Sequence, residues 1–412
     1  MDGVPRIDGE RLWRSLMEMA AIGATPAGGC DRQALTDADR AGRDLFRRWC
    51  EEAGLAVTVD EMGCMMARRP GREDHLPPVA MGSHLDTQPT GGRFDGPLGV
   101  LAGLEVMRAL NDAGLTTRRP LVLVNWTNEE GCRFAPAMLA SGVFAGVFDR
   151  DWAWARTDAA GRRFGDELAR IGYRGTVPCR ARPWHCHFEL HIEQGPILER
   201  EGKVIGVVTG AQGTRWYDAE LRGRAAHAGT TPMDARRDAL AGAAEAVLAL
   251  ERLARETEGA VATAGILEVV RGARNIVPGQ VRLSVDLRHP DDGAADALEA
   301  RFAAELAAIA ARRGLEHAFT RIWAFPALRF DEGCIAAVRR AAEAEGLPWR
   351  AMVSGAGHDS CYVARVVPTA MIFVPCRDGL SHNEAEWCEP EHCAAGCRVL
   401  LRAVLEMAED GA

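Results

Sequence analysis

Lysine is nearly absent from this sequence: among 412 residues there is a single lysine, Lys203, although lysine and arginine together number 49. The other basic residues are arginines. A Schiff-base or pyridoxal phosphate enzyme needs an amine nucleophile, and a Walker loop needs a GK[ST] triplet to hold phosphate. Lys203 lies in EREGKVIG, which fits neither requirement, so both chemistries are excluded.

An excess of positive charge and long hydrophobic runs are also missing. The chain has 49 basic and 58 acidic residues and a net charge of −9, so it lacks the basic surface that binding to a phosphate backbone requires. No run approaches the roughly 18 apolar residues of a membrane span, and the opening MDGVPRIDGERLW has no apolar signal core. We expect no nucleic-acid partner, no membrane association and a cytoplasmic location.

The cysteines lack the paired C-x-x-C spacing of many metal sites. Twelve are scattered along the chain, and without a signal peptide this pattern favours reduced, mostly buried thiols. The tightest group, Cys388, Cys393 and Cys397, allows two interpretations: a metal site, or a C-terminal helix that uses cysteine as a small hydrophobic residue. The helix is the interpretation we favour.

Helix and strand patterns alternate over the first two hundred residues. Apolar residues recur every three positions from Gly96 to Leu110, which predicts a helix. The apolar and β-branched run 121–130 predicts a strand covered on both faces. Such alternation favours an α/β layered domain. The same alternation of helices and strands resumes near the C-terminus, so we predict one discontinuous α/β domain made of residues 1–212 and 327–412.

Residues 213–326 show a different order of predicted elements: strand, helix, strand, strand, helix, strand. This order predicts an inserted α+β domain of ferredoxin-like type. Its helices are expected at 232–256 and 292–313, with Thr231 as N-cap and Pro232 as the first residue of the earlier helix. Apolar and polar residues alternate over 281–288, which predicts a strand with one buried face. The Arg-, Asp- and Gly-rich segment 150–185 is expected to be a surface excursion.

Residues suited to metal chemistry follow the predicted strands, where α/β folds place their sites. In MGSHLDTQPTGGRFDGPLGV, His84 suits a metal ion, and Asp86 is placed to fix its tautomer. Asp95 precedes a helix, so it is either a carboxylate bridging two ions or a helix N-cap. In NWTNEEGCRF, Glu129 and Glu130 form either an exposed acidic turn or a pair in which one binds metal and the other moves protons.

Two further stretches carry histidine. FELHIEQGPILE places Glu189 and His191 on one strand face, with His187 on the same face as a surface or lining residue. GLSHNEAEW places His382 in a loop after a strand, where an isolated histidine is usually structural. Together with the preceding stretches, these residues supply the nitrogen and oxygen ligands that a carboxylate-bridged pair of ions needs.

A serine hydrolase is a competing interpretation, because His358, Asp359 and Ser360 are adjacent. The sequence has no G-x-S-x-G nucleophile elbow, and three sequence neighbours seldom form a triad. We therefore disfavour it.

Eight segments in intact order carry a family resemblance: HLDTQPTGGRFDGPLGV, NEEGCRF, ELHIEQGP, GRAAHAGTTPMDARRDAL, NIVPG, DLRHPD, SGAGHDS and SHNEAE. The chain resembles the M20-type metallo-amidohydrolases of the N-carbamoyl-L-amino acid hydrolase, β-ureidopropionase and allantoate amidohydrolase group. The resemblance extends over nearly the whole chain. It implies a metallopeptidase-like catalytic domain, with a mixed sheet flanked by helices, and an inserted domain that serves for dimerisation and as a lid.

The resemblance also implies two divalent ions in each subunit of a homodimer. His84 and His191 would hold one ion, Glu130 and His382 the other, and Asp95 would bridge them. Zinc is the expected metal, although manganese, cobalt and nickel accept the same ligands.

Roles for the remaining residues follow from the same resemblance. Glu129 matches the general base, Asp86 the residue that orients His84, and His227 a residue that reaches the partner's site and stabilises the oxyanion. Four positions match residues that bind substrate or line its pocket: Gln194, Asn275, Arg288 and His358. Of these, Arg288 suits the substrate carboxylate, because a guanidinium grips both oxygens; an exposed arginine on a sheet face is its alternative.

The implied reaction is cleavage of the carbamoyl C–N bond of an N-carbamoyl-L-amino acid, giving the amino acid, carbon dioxide and ammonia. Allantoate amidohydrolase and β-ureidopropionase activities share every metal motif and stay open. A non-catalytic relative is a further alternative, disfavoured because the base and all five ligands are present. The bulky Trp216 and Tyr217, expected near the substrate pocket, favour the carbamoyl amino acid.

Overall fold

The computed structural model describes residues 4–410, and the elements that follow are those of this range. The α-helices are α1 (Gly9–Ala20), α2 (Asp37–Glu52), α3 (Pro97–Asp112), α4 (Leu139–Phe144), α5 (Arg150–Trp154), α6 (Phe164–Arg170), α7 (Ile197–Arg200), α8 (Ala239–Glu256), α9 (Asp292–Arg313), α10 (Glu332–Ala344), α11 (Asp359–Val363) and α12 (Pro390–Glu409).

The strands are β1 (Ala56–Val59), β2 (Met65–Arg69), β3 (Val79–His84), β4 (Leu121–Trp126), β5 (Cys186–Ile192), β6 (Ile205–Ala211), β7 (Gly213–Arg222), β8 (Ala226–His227), β9 (Val261–Thr263), β10 (Leu267–Val269), β11 (Ile276–Val277), β12 (Gln280–His289), β13 (Glu316–Phe325), β14 (Leu328–Arg329), β15 (Trp349–Ser354) and β16 (Thr369–Val374). Among the described residues, no helix combines the length and the apolar character needed to cross a membrane.

The chain divides into two compact units. A discontinuous unit comprises residues 1–209 and 330–412, and an inserted unit comprises residues 210–329. The bounds predicted from the sequence, 213 and 326, lie inside the inserted unit. Each unit has its own sheet and its own core.

The sheet of the discontinuous unit is mixed. Strands follow the order β1-β2-β4-β3-β5-β16-β6, with β15 also pairing with β6. The central four, β4, β3, β5 and β16, are mutually parallel and buried along their full length. Helices α3, α10 and α12 pack against them, which explains why these strands read as continuous apolar runs. The predicted α/β fold with a mixed sheet flanked by helices is confirmed.

The inserted unit is an antiparallel sheet with two long helices. Its strand order is β10-β12-β7-β13, with β9 also pairing with β12. Along β12, Val281, Leu283, Val285 and Leu287 are all buried, as the alternation predicts. They form a core with the apolar faces of α8 and α9. The order β7, α8, β10, β12, α9, β13 is that of a ferredoxin-like unit.

The predicted start of α8 is wrong. The helix begins at Ala239, and its N-cap is Asp238, which accepts hydrogen bonds from the backbone N–H groups of Leu240 and Ala241. Pro232 is extended, with ψ of 154°, ahead of a single 3-10 turn. The Arg236 guanidinium binds the carbonyls of Ala228 and Thr231, so this stretch is a turn fixed by a side chain.

Candidate metal centre and active site

One edge of the parallel sheet gathers the predicted metal ligands, because the carboxyl ends of parallel strands meet at the same edge. His84 is the last residue of β3, and His191 is the next to last of β5. Glu129 and Glu130 follow β4, and His382 lies in the loop after β16. Asp95 precedes α3.

The first ligand group is His84, Asp95 and His191, all buried, with their ligand atoms within 4.8 Å of one another. Oδ1 of Asp95 lies 3.1 Å from Nε2 of His191 and 3.8 Å from Nε2 of His84. Gly96 permits this approach: its φ is 85°, and a Cβ there would lie 2.4 Å from Cε1 of His84. The glycine is required by both the backbone and the space.

The second ligand group is Asp95, Glu130 and His382. Nε2 of His382 lies 3.4 Å from Oδ2 of Asp95 and 3.3 Å from Oε2 of Glu130. Asp95 therefore presents one carboxylate oxygen to each group, which is the placement a bridging ligand needs. The helix N-cap interpretation of Asp95 is not observed, because α3 has no side-chain cap.

The two Nε2 atoms of His84 and His191 show whether the first ligand group fits a metal. Nδ1 of His84 lies 2.9 Å from the carbonyl of Asp86, and Nδ1 of His191 lies 2.9 Å from that of Ile192. These carbonyls fix the proton on Nδ1, so each neutral ring directs the lone pair of Nε2 into the group. Neither Nε2 has an aligned hydrogen-bond partner. Lone pairs facing a carboxylate need a cation between them, so the residues fit a metal.

Burial and the close approach of histidines and carboxylates shift the pKa values of this cluster. Burial raises the pKa of Asp95, but His191 and His382 outweigh burial and hold it well below the ordinary value. Burial lowers the pKa of His84 to about 4. Burial also disfavours a charged His191, yet Asp95 and Glu189 raise its pKa to about 9. In the absence of a cation, Asp95 and Glu189 therefore favour the protonated form of His191.

Glu129 lies beside the first ligand group, with Oε2 3.6 Å from Nε2 of His84. Burial raises its pKa well above the ordinary value, and the nearby charges of Asp359 and Glu130 add to this effect. A buried carboxylate of raised pKa accepts a proton readily. The exposed acidic turn is not observed, since Glu129 is buried and Glu130 nearly so.

Asp86 acts on its neighbours through different atoms from those expected. Its main-chain carbonyl faces Nδ1 of His84, while its carboxylate oxygen is 4.0 Å from that atom. The carboxylate instead accepts the backbone N–H groups of Glu129 at 3.3 Å and Glu130 at 3.2 Å. Asp86 thereby positions His84 and both glutamates.

Behind Asp95 lies a set of hydrogen bonds that the sequence analysis missed. Gln194 Nε2 and Ser381 Oγ each donate to Oδ2 of Asp95 at 2.8 Å. Buried Glu386 accepts the backbone N–H groups of Phe94 at 2.9 Å and Asp95 at 3.1 Å. Ser381 and Glu386 belong to GLSHNEAEW, so their proximity to His382 was the available signal.

His358 lies next to the first ligand group, with its ring centroid 4.6 Å from that of His191. Its Nε2 is 3.0 Å from Ser354 Oγ. Ser360 Oγ instead donates to Glu189 at 2.6 Å, so the contacts of these neighbours are not those of a catalytic triad. His187, expected as a surface or lining residue, is fully buried, where its ring lies near Trp126 and Trp184.

The inserted unit holds the remaining predicted residues. His227 of β8 pairs with Ile276 of β11, and the carbonyl of Asn275 accepts the Ala228 N–H at 2.9 Å. These strands therefore bring His227 and Asn275 side by side, both exposed. Nδ1 of His227 accepts the N–H groups of Gly229 and Thr230, so the ring proton is on Nε2.

Arg288 and Tyr217 lie on the sheet of the same unit. The Arg288 guanidinium donates to Asp286 at 2.8 Å, and its side chain is half-buried. Tyr217 is buried and stacks on Phe319, with centroids 4.5 Å apart. Tyr217 is a core residue of the unit, so its expected place near the substrate pocket is wrong.

A parallel sheet edge with buried histidines, a shared carboxylate and an adjacent glutamate base is typical of metal-dependent hydrolases. Comparison with known families agrees. Residues 80–406 match the family described as Peptidase family M20/M25/M40, and the chain belongs to this family. The resemblance inferred from the sequence motifs is confirmed.

Individual relatives and solved structures show which members of the family the chain is similar to. The chain is 53% identical to the N-carbamoyl-L-amino-acid amidohydrolase of Rhizobium meliloti, over 98% of this chain and 97% of the relative. It is 38% identical to the N-carbamoyl-L-amino acid amidohydrolase of Geobacillus stearothermophilus, over 98% and 99%. A hydantoinase/carbamoylase family amidase of Burkholderia multivorans superposes with a TM-score of 0.97 at 56% identity, covering 99% of both chains. Ureidoglycolate hydrolase of Arabidopsis thaliana is more distant, at 33% identity.

Proposed function

We propose that this protein hydrolyses N-carbamoyl-L-amino acids, giving the L-amino acid, carbon dioxide and ammonia. One observation carries the proposal: a buried glutamate of raised pKa, Glu129, lies against a histidine-carboxylate cluster that fits divalent metal. The relatives with high identity are named for this reaction, which selects it among the hydrolyses that such a cluster supports.

We propose two ions in each subunit, one held by His84, Asp95 and His191, the other by Asp95, Glu130 and His382. Zinc accepts such nitrogen and oxygen ligands, as do manganese, cobalt and nickel. When bound, divalent ions polarise a carbonyl and lower the pKa of water toward neutrality.

Glu129 moves the proton. Its carboxylate accepts a proton from the attacking water, whose oxygen forms a bond to the ureido carbon. It then delivers that proton to the amino acid nitrogen as the C–N bond breaks. The other product, carbamic acid, decomposes to carbon dioxide and ammonia. The acceptor bonds of Asp86 to the Glu129 and Glu130 backbone hold the base in position during both transfers.

The inserted unit supplies donors for the substrate. His227 has its proton on Nε2 because Nδ1 accepts two backbone N–H groups, so Nε2 can donate to a developing oxyanion. Arg288 offers a planar guanidinium to the substrate carboxylate, and Asn275, beside His227, offers an amide. Gln194 and His358 complete the substrate-binding set on the discontinuous unit.

We propose a homodimer formed through the inserted unit, with His227 serving the partner's site. Exposed apolar side chains support this. Within residues 4–410, nine of the fifteen large exposed hydrophobic residues belong to the inserted unit, among them Trp216 and Trp323, whose rings lie 4.8 Å apart. Exposed aromatic side chains in contact with each other are common at interaction surfaces. The twelve unpaired cysteines favour a reducing compartment, the cytoplasm.

A substrate panel tests the function. Metal-reconstituted protein is assayed for ammonia release from N-carbamoyl-L-amino acids, N-carbamoyl-β-alanine and allantoate, each with and without EDTA. EDTA-sensitive release from the first class supports the proposal. Release from allantoate alone, or from N-carbamoyl-β-alanine alone, contradicts it in favour of the corresponding activity, and no release from any of them indicates a non-catalytic relative.

A further inference from the structure

A second group of potential ligands lies outside the site described above. Asp60 is in the turn between β1 and β2, Cys64 ends that turn, and Cys179 comes from the excursion at 150–185. All three are buried, and their ligand atoms lie within 4.8 Å of one another. Within residues 4–410, the other such groups consist of histidine and carboxylate only.

The turn is built so that one carboxylate oxygen faces the thiols. Oδ1 of Asp60 accepts the backbone N–H groups of Met62 and Cys64, each at 2.9 Å. Oδ2 is buried and has no aligned hydrogen-bond donor, although the Cys179 and Cys64 thiols lie close enough to lower the pKa of the carboxyl. Burial raises the pKa of this carboxyl to about 6. An ionised carboxylate in this position is costly unless a cation or proton accompanies it.

The excursion is held against the turn at the same place. The carbonyl of Asp60 accepts the Gly175 N–H at 3.0 Å, and the Glu61 N–H donates to the carbonyl of Val177 at 2.9 Å. The Cys179 thiol donates a hydrogen bond to the carbonyl oxygen of Ala140 at 3.7 Å. The Arg43 guanidinium, which is paired with Asp39 at 2.9 Å, donates to the carbonyl of Gly63 at 2.7 Å.

We propose that Asp60, Cys64 and Cys179 form a structural site for a thiophilic divalent cation of the zinc class. Thiolate sulfur and carboxylate oxygen are both ligands that zinc accepts in proteins. The cation would neutralise the unpartnered oxygen of Asp60 and join the β1–β2 turn to the excursion. Proximity of thiols alone does not define such a site: Cys388 and Cys393 lie 3.4 Å apart but belong to no group with a carboxylate or histidine among the described residues.

Cobalt distinguishes this site from the catalytic cluster, because the catalytic cluster contains no sulfur. The metal-free full-length protein is titrated with Co²⁺ and followed for the near-ultraviolet charge-transfer band of a thiolate–cobalt bond. The band is expected in the wild type and in the control variant Cys393→Ser, and it should be lost in Cys64→Ser and Cys179→Ser. Asp60→Asn, which keeps the acceptor for the turn, should weaken cobalt binding at least tenfold.

A measurement on unmutated protein keeps the proposal testable if the variants do not fold. Cadmium-113 NMR of the wild type should show a resonance in the thiolate range, separate from those of nitrogen and oxygen sites. Absence of both the band and this resonance would overturn the proposal. So would a thiol titration under denaturing, non-reducing conditions that finds Cys64 and Cys179 joined as a disulfide in freshly purified protein. Ureido hydrolysis is not used as a readout, so failure here leaves the proposed function unaffected.

Discussion

The side-chain amide of Gln194 donates a hydrogen bond to Oδ2 of Asp95 at 2.8 Å, across 99 positions of sequence. Gln194 has a positive φ of 59°, an unusual conformation for a residue other than glycine. This residue lies two positions after the end of the strand that carries His191. It therefore supports the carboxylate that both ligand groups share, in addition to any contact with substrate.

Replacing Gln194 by leucine should weaken metal binding. After the substitution, Ser381 is the remaining hydroxyl donor to Oδ2 of Asp95. Loss of a hydrogen bond that supports a metal ligand typically lowers the metal affinity tenfold to hundredfold. Isothermal titration of the metal-free protein with Zn²⁺ measures the effect. Gln33→Leu is the control, because Gln33 donates to exposed Asp31; equal affinities for both variants would assign Gln194 to the substrate alone.

Adjacent glutamates should respond differently to the same substitution. Glu129→Gln should lower kcat by about 10² to 10⁴ with metal content unchanged, because the base is lost while both ligand groups remain. Glu130→Gln should instead lower the metal content, since Glu130 faces His382 at 3.3 Å. Metal analysis and steady-state kinetics on both variants separate the two roles. Retained activity in Glu129→Gln would remove Glu129 from the mechanism.

Arg288→Lys should raise KM about tenfold, or ~1.4 kcal/mol in binding, because a single ammonium cannot grip both carboxylate oxygens. The metal content should not change. Arg282→Lys is the matched control, since Arg282 lies on the same strand face and pairs with Glu268. Unchanged kinetics for both variants would remove Arg288 from substrate binding.

Features of the fold that depend on neighbouring residues in the chain could be predicted from the sequence. The strand-end positions of His84 and His191 follow from hydrophobic runs that stop at polar residues, and α9 spans 292–313 as its pattern predicts. Val281 and Leu287 are buried because alternation on a half-covered strand determines which side faces the helices.

Other features depend on contacts between distant segments, and the sequence could not reveal them. Glu386 binds the backbone at Phe94 and Asp95, and nothing local distinguishes it from an exposed acid. The buried state of His187 depends on Trp126 and Trp184 packing near it. The start of α8 moved because Arg236 binds two carbonyls of the preceding turn, an interaction that no capping pattern indicates.

The stability of the metal-free protein should depend on pH through Asp60. Its folded-state pKa of about 6 lies above the ordinary 3.8. The carboxyl is therefore neutral in both states at low pH, and the stability falls as pH rises from the unfolded-state pKa of 3.8 to the folded-state pKa of about 6. The full rise corresponds to on the order of 3 kcal/mol. Asp60→Asn does not titrate, so metal-free Asp60→Asn should be more stable than the wild type at about pH 8, with the difference shrinking toward about pH 4.

Zinc should reverse this order. At about pH 8 the cation would stabilise the wild type by binding only the folded state, whereas Asp60→Asn, which lacks the ionised ligand, should gain less. Urea unfolding followed by circular dichroism, on metal-free and zinc-loaded forms of both proteins, measures all four free energies. A difference between the metal-free proteins that stays constant from about pH 4 to about pH 8 would mean that Asp60 has the same pKa in the folded and unfolded states, and this would contradict the raised pKa of the buried carboxyl.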